Sequence, residues 1–254
     1  MKTLKLQKGI IYGPINSRRL GSSLGINLSP NDYKLCSFNC IYCQYGKTKV
    51  HTIDVIRNLS DLPTKEKVKN ALEDWLRKGM KVDYITFSGN GEPTLHPEFD
   101  KIVDEVIKLR NKYLPPAKVA ILSNSSNVSS PKVKKALKRL DLVIMKLDSG
   151  TKEMFQKINS PVKGIEYEKV VEDLKELKNI IIQSVFIGGE VTNTKPDEVE
   201  EWIEGLRYIL PKKVQIYSLD RPFIGKSISK VDRYVLSKIA ELASELSGIE
   251  VEVY

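Results

Sequence analysis

Lys81-Val82-Asp83-Tyr84-Ile85-Thr86-Phe87-Ser88-Gly89-Asn90-Gly91-Glu92-Pro93 is the stretch from which the fold is read. The apolar run over residues 82–88 predicts a strand buried on both faces. It stops on glycines, which expose backbone where a ligand can approach closely, and Glu92 adds an anionic acceptor suited to an ammonium group. Taken alone, the same tail is also an ordinary strand-to-helix turn closed by Gly and Pro. Upstream, residues 64–78 carry Val68, Leu72, Trp75 and Leu76 on one helical face and stop at Gly79. Downstream, residues 97–112 show the same period and place Pro97 at the first helical position.

The unit repeats outward in both directions. Further strands are predicted at 22–28, 118–123, 142–146, 180–187 and 213–218, with a closing one within 248–254. Helices are predicted at 131–140, 166–178, 196–210 and 230–247. Six strand–helix alternations imply a parallel sheet with right-handed crossovers. Six are too few for a closed eight-stranded barrel. The expected class is therefore α/β, an open partial (βα)6 TIM-like barrel that binds ligands at the carboxyl ends of its strands. Without repeats or linker-like stretches, one domain over 1–254 is expected: a lead-in at 1–21, a core at 22–222, and a terminal helix and strand at 223–254.

Composition narrows the class. The 254 residues hold 41 Lys and Arg against 32 Asp and Glu, a formal charge of +9, with an ordinary 41% hydrophobic share. Disorder and disulfide-stapled mini-protein scaffolds are excluded. No run of eighteen apolar residues occurs, so no membrane-spanning helix is expected. The start, Met1-Lys2-Thr3-Leu4-Lys5-Leu6, lacks a secretory core, and a cytoplasmic, reducing home follows. Of the basic residues 32 are Lys, many alternating with acids on the predicted helices. Such a surface belongs to heat-adapted proteins, and equally to partners of RNA or another polyanion.

All three cysteines fall in Cys36-Ser37-Phe38-Asn39-Cys40-Ile41-Tyr42-Cys43, a C-x3-C-x2-C spacing just past the first strand. Three thiolates on one short loop can hold three corners of a cubane [4Fe–4S] cluster and leave the fourth iron open. A Cys3His zinc site using His51 is the competing ligand set, since closed zinc sites take four protein ligands.

This spacing, with Tyr42 before the last Cys, resembles the signature of the radical S-adenosylmethionine (SAM) enzymes. Ser88-Gly89-Asn90-Gly91-Glu92-Pro93 resembles that family's Gly-Gly-Glu-Pro motif, with Asn90 at the second glycine. The resemblance implies that Cys36, Cys40 and Cys43 bind the cluster and that Gly89, Asn90, Gly91 and Glu92 hold the methionine end of SAM. Ser123 and Asn124, ending the third strand, resemble an element near the SAM carboxylate and ribose; cap and turn roles fit them as well. Tyr42, Lys146 and Asp148 join the expected cofactor contacts, and Lys146 and Asp148 share a strand face, so an internal ion pair is an equal reading. Residues 183–190 resemble the strand flanking the adenine, or are simply a core strand.

The lead-in Tyr12 to Gly25 and the segment Gln215 to Pro222 resemble the wybutosine-synthesis-related branch of Fe–S oxidoreductases, whose best-known activity modifies a tRNA guanosine. That branch carries cysteines for a second cluster, and this chain has none to spare. The resemblance implies reductive cleavage of SAM to a 5′-deoxyadenosyl radical, hydrogen abstraction from a substrate such as tRNA, and a one-electron donor of the flavodoxin or ferredoxin type. Activation of a glycyl-radical protein, action on a small metabolite, and a non-catalytic zinc- or cluster-bearing RNA-binding module are the rival readings. Arg18, Arg19 and Arg221 suit an anion or structural ion pairs. His96 reads as a helix-start residue, and Tyr45 and Tyr217 as packing or substrate-facing aromatics.

Overall fold

The computed structural model describes residues 3–223 and 225–254. The lead-in forms β1 (Ile11–Ser17), which turns through Arg18-Arg19-Leu20 into antiparallel β2 (Gly21–Ile26). Then come the short parallel pair β3 (Leu35–Cys36) and β4 (Val50–His51), β5 (Tyr84–Phe87), β6 (Lys118–Ser123), β7 (Leu142–Lys146) and β8 (Ile181–Val185). The chain continues with β9 (Ile187–Gly189), β10 (Lys213–Tyr217), β11 (Ile228–Lys230) and β12 (Val251–Val253). Around them run α1 (Lys65–Leu76), α2 (Phe99–Tyr113), α3 (Pro131–Leu137), α4 (Lys152–Asn159), α5 (Tyr167–Lys175), α6 (Pro196–Ile209) and α7 (Arg233–Ser247).

The main sheet is ordered β1-β2-β5-β6-β7-β8-β10-β12, parallel from β2 onward. Each main-sheet strand pairs with the next one along the chain, as in a barrel, and β1 and β12 remain as open edges. This is the expected α/β partial barrel. Period-two alternation sorts its faces. Ile85, Phe87, Val119, Ile121, Val143, Met145, Ile182, Val214 and Ile216 pack under the helices in one apolar cluster. The opposite face carries Thr86, Lys146, Gln183, Gln215 and Tyr217, with a small apolar set at Leu20, Ile144 and Ile181. A polar inner face on an apolar-backed sheet is where a ligand can be held.

Four differences from the sequence reading have a clear local reason. The helix expected from Pro97 begins at Phe99, because the His96 ring accepts the Glu98 N–H at 3.2 Å and the chain turns there. The strand expected over 180–187 is two: the Phe186 N–H makes the last bond to β10, at the Tyr217 carbonyl (2.8 Å), its ring meets Trp202 edge-on, and from Ile187 the chain pairs with β11 instead. Asn193 holds that bend through the Ile187 N–H and the Val185 carbonyl. The last helix starts at Arg233, since residues 228–230 pair with β9 and Asp232 caps the Tyr234 N–H. Finally, α4 was not expected at all. Thr151 caps it, Phe155 and Ile158 form its buried face, and Glu198 of α6 anchors its start through Gly150 N–H at 2.6 Å and Thr151 Oγ1 at 2.7 Å. No helix among the described residues is long and apolar enough to cross a membrane.

Candidate metal and cofactor site

The cysteine loop leaves the carboxyl end of β2 and is docked on the end of α4. Asn39 N–H donates to the Asn159 carbonyl at 3.0 Å and Ile41 N–H to the Ile158 carbonyl at 3.0 Å. Phe38 buries its ring edge-on against Phe155. All three thiols are free, Cys36 buried and Cys40 and Cys43 half-buried. Burial pushes the Cys36 thiol up to about 12 and the Cys40 thiol up to about 11. Lys34 lies with them, only 5% exposed, its Nζ donating to the Gly46 carbonyl at 3.2 Å. Burial alone would lower the Lys34 pKa, but Cys43, Cys36 and Cys40 outweigh it and raise it. Thiolates in so dry a place need positive charge beside them, which Lys34 supplies in part and a bound metal group would complete.

The donor set fits an iron–sulfur cluster better than zinc. His51 is committed elsewhere, its Nε2 hydrogen-bonded to the Ser37 carbonyl at 3.0 Å. Among the described residues no three His, Cys, Asp or Glu side chains converge as ligands of one ion do. Thiolates around zinc would stand about 3.8 Å apart at Zn–S bonds of about 2.3 Å. Cubane ligands each take a different iron and need no such convergence.

The ends of the next strands close over this loop. Glu92, buried, accepts at Oε1 from Thr94 N–H (3.0 Å), Thr94 Oγ1 (2.7 Å) and Ser123 Oγ (2.8 Å), and at Oε2 from Asn124 N–H (2.6 Å). Burial raises its pKa, and these four donors pull against that. Asn124 in turn donates from Nδ2 to Ser37 Oγ at 2.9 Å and to Cys36 Sγ at 3.5 Å. Ser125, with a left-handed φ of 73°, sends its Oγ to the Lys146 carbonyl at 2.8 Å. Thus Glu92, Ser123, Asn124 and the first cysteine form one bonded unit at the carboxyl ends of β5 and β6.

Beside it, Lys146 Nζ pairs with Asp148 Oδ1 at 2.7 Å and donates to Tyr217 Oη at 3.1 Å. Asp148 Oδ2 accepts from Tyr42 Oη and from Asn159 Nδ2, the latter at 2.8 Å. Tyr42, Lys146 and Asp148 are therefore brought together, as an internal pair within reach of the cysteines. Asn159, which the sequence reading missed, completes the group: Nδ2 also donates to Cys40 Sγ at 3.5 Å, and Oδ1 is buried without a partner among the described residues. Its only advance signal was a Thr cap with Phe155 and Ile158 three apart, marking the helix that carries it. Lys34 gave no signal beyond lying two residues before Cys36.

Gly89 and Asn90 are placed differently from each other. Gly89 takes φ 136°, a conformation for glycine alone, with the Asn27 side chain where a Cβ would be. Asn90, fully buried, spends its side chain on the lead-in and the loop after β2: Oδ1 accepts from Gln7 N–H at 2.8 Å, and Nδ2 donates to the carbonyls of Gln7 and Pro30, each at 2.9 Å. The same lead-in reaches the cysteine loop through Leu4 N–H to the Gln44 carbonyl (2.8 Å) and Gln7 Nε2 to Tyr45 Oη (3.0 Å). Asn90→Gly is expected to cost about 2–4 kcal/mol by orphaning three backbone groups. Urea unfolding measures the loss, and hydrogen exchange at Gln7 should speed up. Slow exchange at Gln7 in the variant would contradict the role given to Asn90.

His96 sits at a helix start, as expected: Nε2 bonds the Pro63 carbonyl at 2.8 Å, and burial lowers its pKa. Arg18 pairs with Asp220, and Arg221 donates to Gln44 Oε1 at 2.8 Å.

Comparison with known proteins follows the geometry. A family model described as the Radical SAM superfamily matches residues 31–203. A UPF0026 protein of Methanocaldococcus jannaschii is 33% identical over 245 residues, covering 94% of this chain and 72% of that protein. A Brachyspira hyodysenteriae protein named GTPase Obg is 30% identical over 253 residues, covering 98% of this chain, which spans only 35% of that longer protein. The phosphate-binding run G-x-x-x-x-G-K-[ST] does not occur here. Among solved structures, a radical SAM methyltransferase from Sphaerobacter thermophilus shares the fold at TM-score 0.67 and 14% identity, over 92% of this chain and 66% of that one. TYW1 with a lysine-pyruvate adduct bound shares it at TM-score 0.60 and 16% identity, over 88% and 73%. The chain belongs to the radical SAM superfamily and is an enzyme of that class, whose cofactors are a [4Fe–4S] cluster and SAM.

Proposed function

We propose that Cys36, Cys40 and Cys43 ligate a single [4Fe–4S] cluster, that residues 89–92 with Ser123 and Asn124 seat SAM beside it, and that the substrate is an RNA, tRNA first. The observation that carries the reading is the Asn124 bridge, which ties the Glu92 carboxylate to the Cys36 thiol through one residue. When bound, the cluster and SAM supply one-electron cleavage of the sulfonium carbon–sulfur bond to methionine and a 5′-deoxyadenosyl radical that abstracts hydrogen.

The chain supplies position and charge. Glu92 Oε2 has one donor and keeps a lone pair for the ammonium of SAM, while three donors hold Oε1 still. Lys146 spends two of its three N–H groups on Asp148 and Tyr217 and keeps one for a polar group on the inner face. Asn124 and Asn159 donate to Cys36 and Cys40 and offset thiolate charge. A flavodoxin- or ferredoxin-type donor brings the electron. RNA is favoured by the charge of +9 and by the likeness of residues 12–25 and 215–222 to the wybutosine-related branch. The whole chain, 1–254, works as one unit in this reading.

The test is anaerobic reconstitution with iron and sulfide, then measurement of 5′-deoxyadenosine from SAM under dithionite. A chain that retained zinc instead and produced no deoxyadenosine would end the enzyme mechanism proposed. Retention of cellular tRNA should fall steeply as salt rises. Binding indifferent to salt would remove RNA as the substrate.

A further inference from the structure

Of the three arginines noted in the sequence, Arg19 alone meets neither a carboxylate nor an amide. It folds beneath the inner face, its guanidinium carbon 4.7 Å from the Tyr217 ring and 5.7 Å from that of Tyr254. Its Nη1 is buried with no hydrogen-bond partner among the described residues. Burial lowers its pKa, with Tyr217 opposing and Arg18 and Arg221 adding to the fall. A guanidinium so placed keeps its desolvation cost without a counter-charge, and an anion would remove that cost.

Arg19 lines a cavity of about 840 Å³, of the size that takes small ligands. The wall is built from the beginnings of four strands, at Tyr84, Leu142, Ile181 and Lys213. It therefore lies at the opposite end of the sheet from the cysteine loop, and none of residues 36–43, 88–93 or 123–126 lines it. Five cationic side chains face two carboxylates there. Both carboxylates are engaged: Asp141 by Arg110 at 2.7 Å, Glu252 by Lys213 at 2.7 Å. Lys138, Lys178 and Lys212 stand exposed at the rim, with no carboxylate partner among the described residues.

We propose that this cavity is a second binding site, for the phosphate of a small phosphorylated molecule. The planar fork of Arg19 takes two phosphate oxygens, and the rim lysines draw the dianion in. A phosphate carries a charge of about −1.5 to −2 and matches the cationic surplus, which a single carboxylate would leave mostly uncompensated. The site shares no lining residue with the cysteine loop or with residues 88–93 and 123–126, meets Lys146 only across the Tyr217 ring, and needs no turnover.

Inorganic phosphate titrated into the full-length reconstituted chain, followed by calorimetry and phosphorus NMR line width, tests it. Saturable binding at one site per chain is expected. Arg19→Gln should weaken it by about tenfold or more, through loss of charge-assisted hydrogen bonds. Lys178→Ala with Lys212→Ala should weaken it by about three- to tenfold and flatten its salt dependence. Acetate should bind at least about tenfold more weakly than phosphate. Unsaturable phosphate, or acetate binding equally well, would overturn the assignment. So would wild-type affinity in Arg19→Gln; if that variant misfolds by circular dichroism, wild-type affinity in the double lysine variant, changed only at exposed positions, decides instead. Cys43→Ala is expected to lose SAM cleavage and keep phosphate binding, so failure of one site is told apart from failure of the other.

Discussion

Cys40→Ala is expected to leave the reconstituted chain with far less than the about four irons of one cubane and to reduce 5′-deoxyadenosine formation to background. The fold should survive, because Cys40 is half-buried on a loop and the truncation costs about 1 kcal/mol of packing. Iron content, circular dichroism and product assay together separate ligand loss from unfolding. Full iron and full activity in the variant would show that Cys40 is not a ligand. Asn159→Ala supplies the graded counterpart. Its Nδ2 donor at 3.5 Å from Cys40 Sγ favours the more negative, reduced state of anything bound there. Removing that donor should preserve iron and shift the midpoint potential to a more negative value in an EPR-monitored titration. A shift to a more positive value would mean that the amide does not act on that sulfur.

The parts of the fold legible in the sequence were those written by periodicity. Apolar runs at 118–123 and 142–146 match β6 and β7 residue for residue, because strands covered by helices must be apolar on that face. Where a tertiary contact overrides the local pattern, reading failed. Phe186 continues an apolar run, yet its ring is claimed by Trp202, and the strand breaks there. The helix α4, eight residues long, has no proline at its first position to mark it as Pro131 marks the still shorter α3. The site shows the same division. Cysteine spacing is local and was readable; the amides on the sulfurs come from Asn124 and Asn159, distant in sequence by 88 and 119 residues. Asn90 is the sharpest case. Its place in a glycine-rich motif leaves any ligand contact to the backbone, and its side chain is spent holding the lead-in at Gln7, a direction that only the fold decides.

Gly91→Ala carries the other large expected effect, and its cause is a meeting of backbones. A Cβ at residue 91 would stand 1.7 Å from the Leu35 carbonyl oxygen and 2.9 Å from Ser29 Oγ. Neither side can yield cheaply. Leu35 is 1% exposed, is laddered to Val50, and precedes Cys36 directly. Residue 91 lies between Asn90, bonded to the lead-in, and Glu92, bonded by four donors. Relief must shift either the strand carrying the first cysteine or the turn carrying Glu92. A loss of more than about 3 kcal/mol is expected, together with poor iron retention and weakened SAM binding in whatever remains folded. Gly79→Ala is the control: it has φ 69° but open space around the missing Cβ, and lies ahead of β5, whereas the site residues follow the other end of that strand. It should cost about 1–2 kcal/mol from backbone strain alone and leave iron and SAM binding unchanged. Equal unfolding midpoints for the two variants would mean that the cysteine strand is free to move away from residue 91, and the rigid seat argued for SAM would not exist.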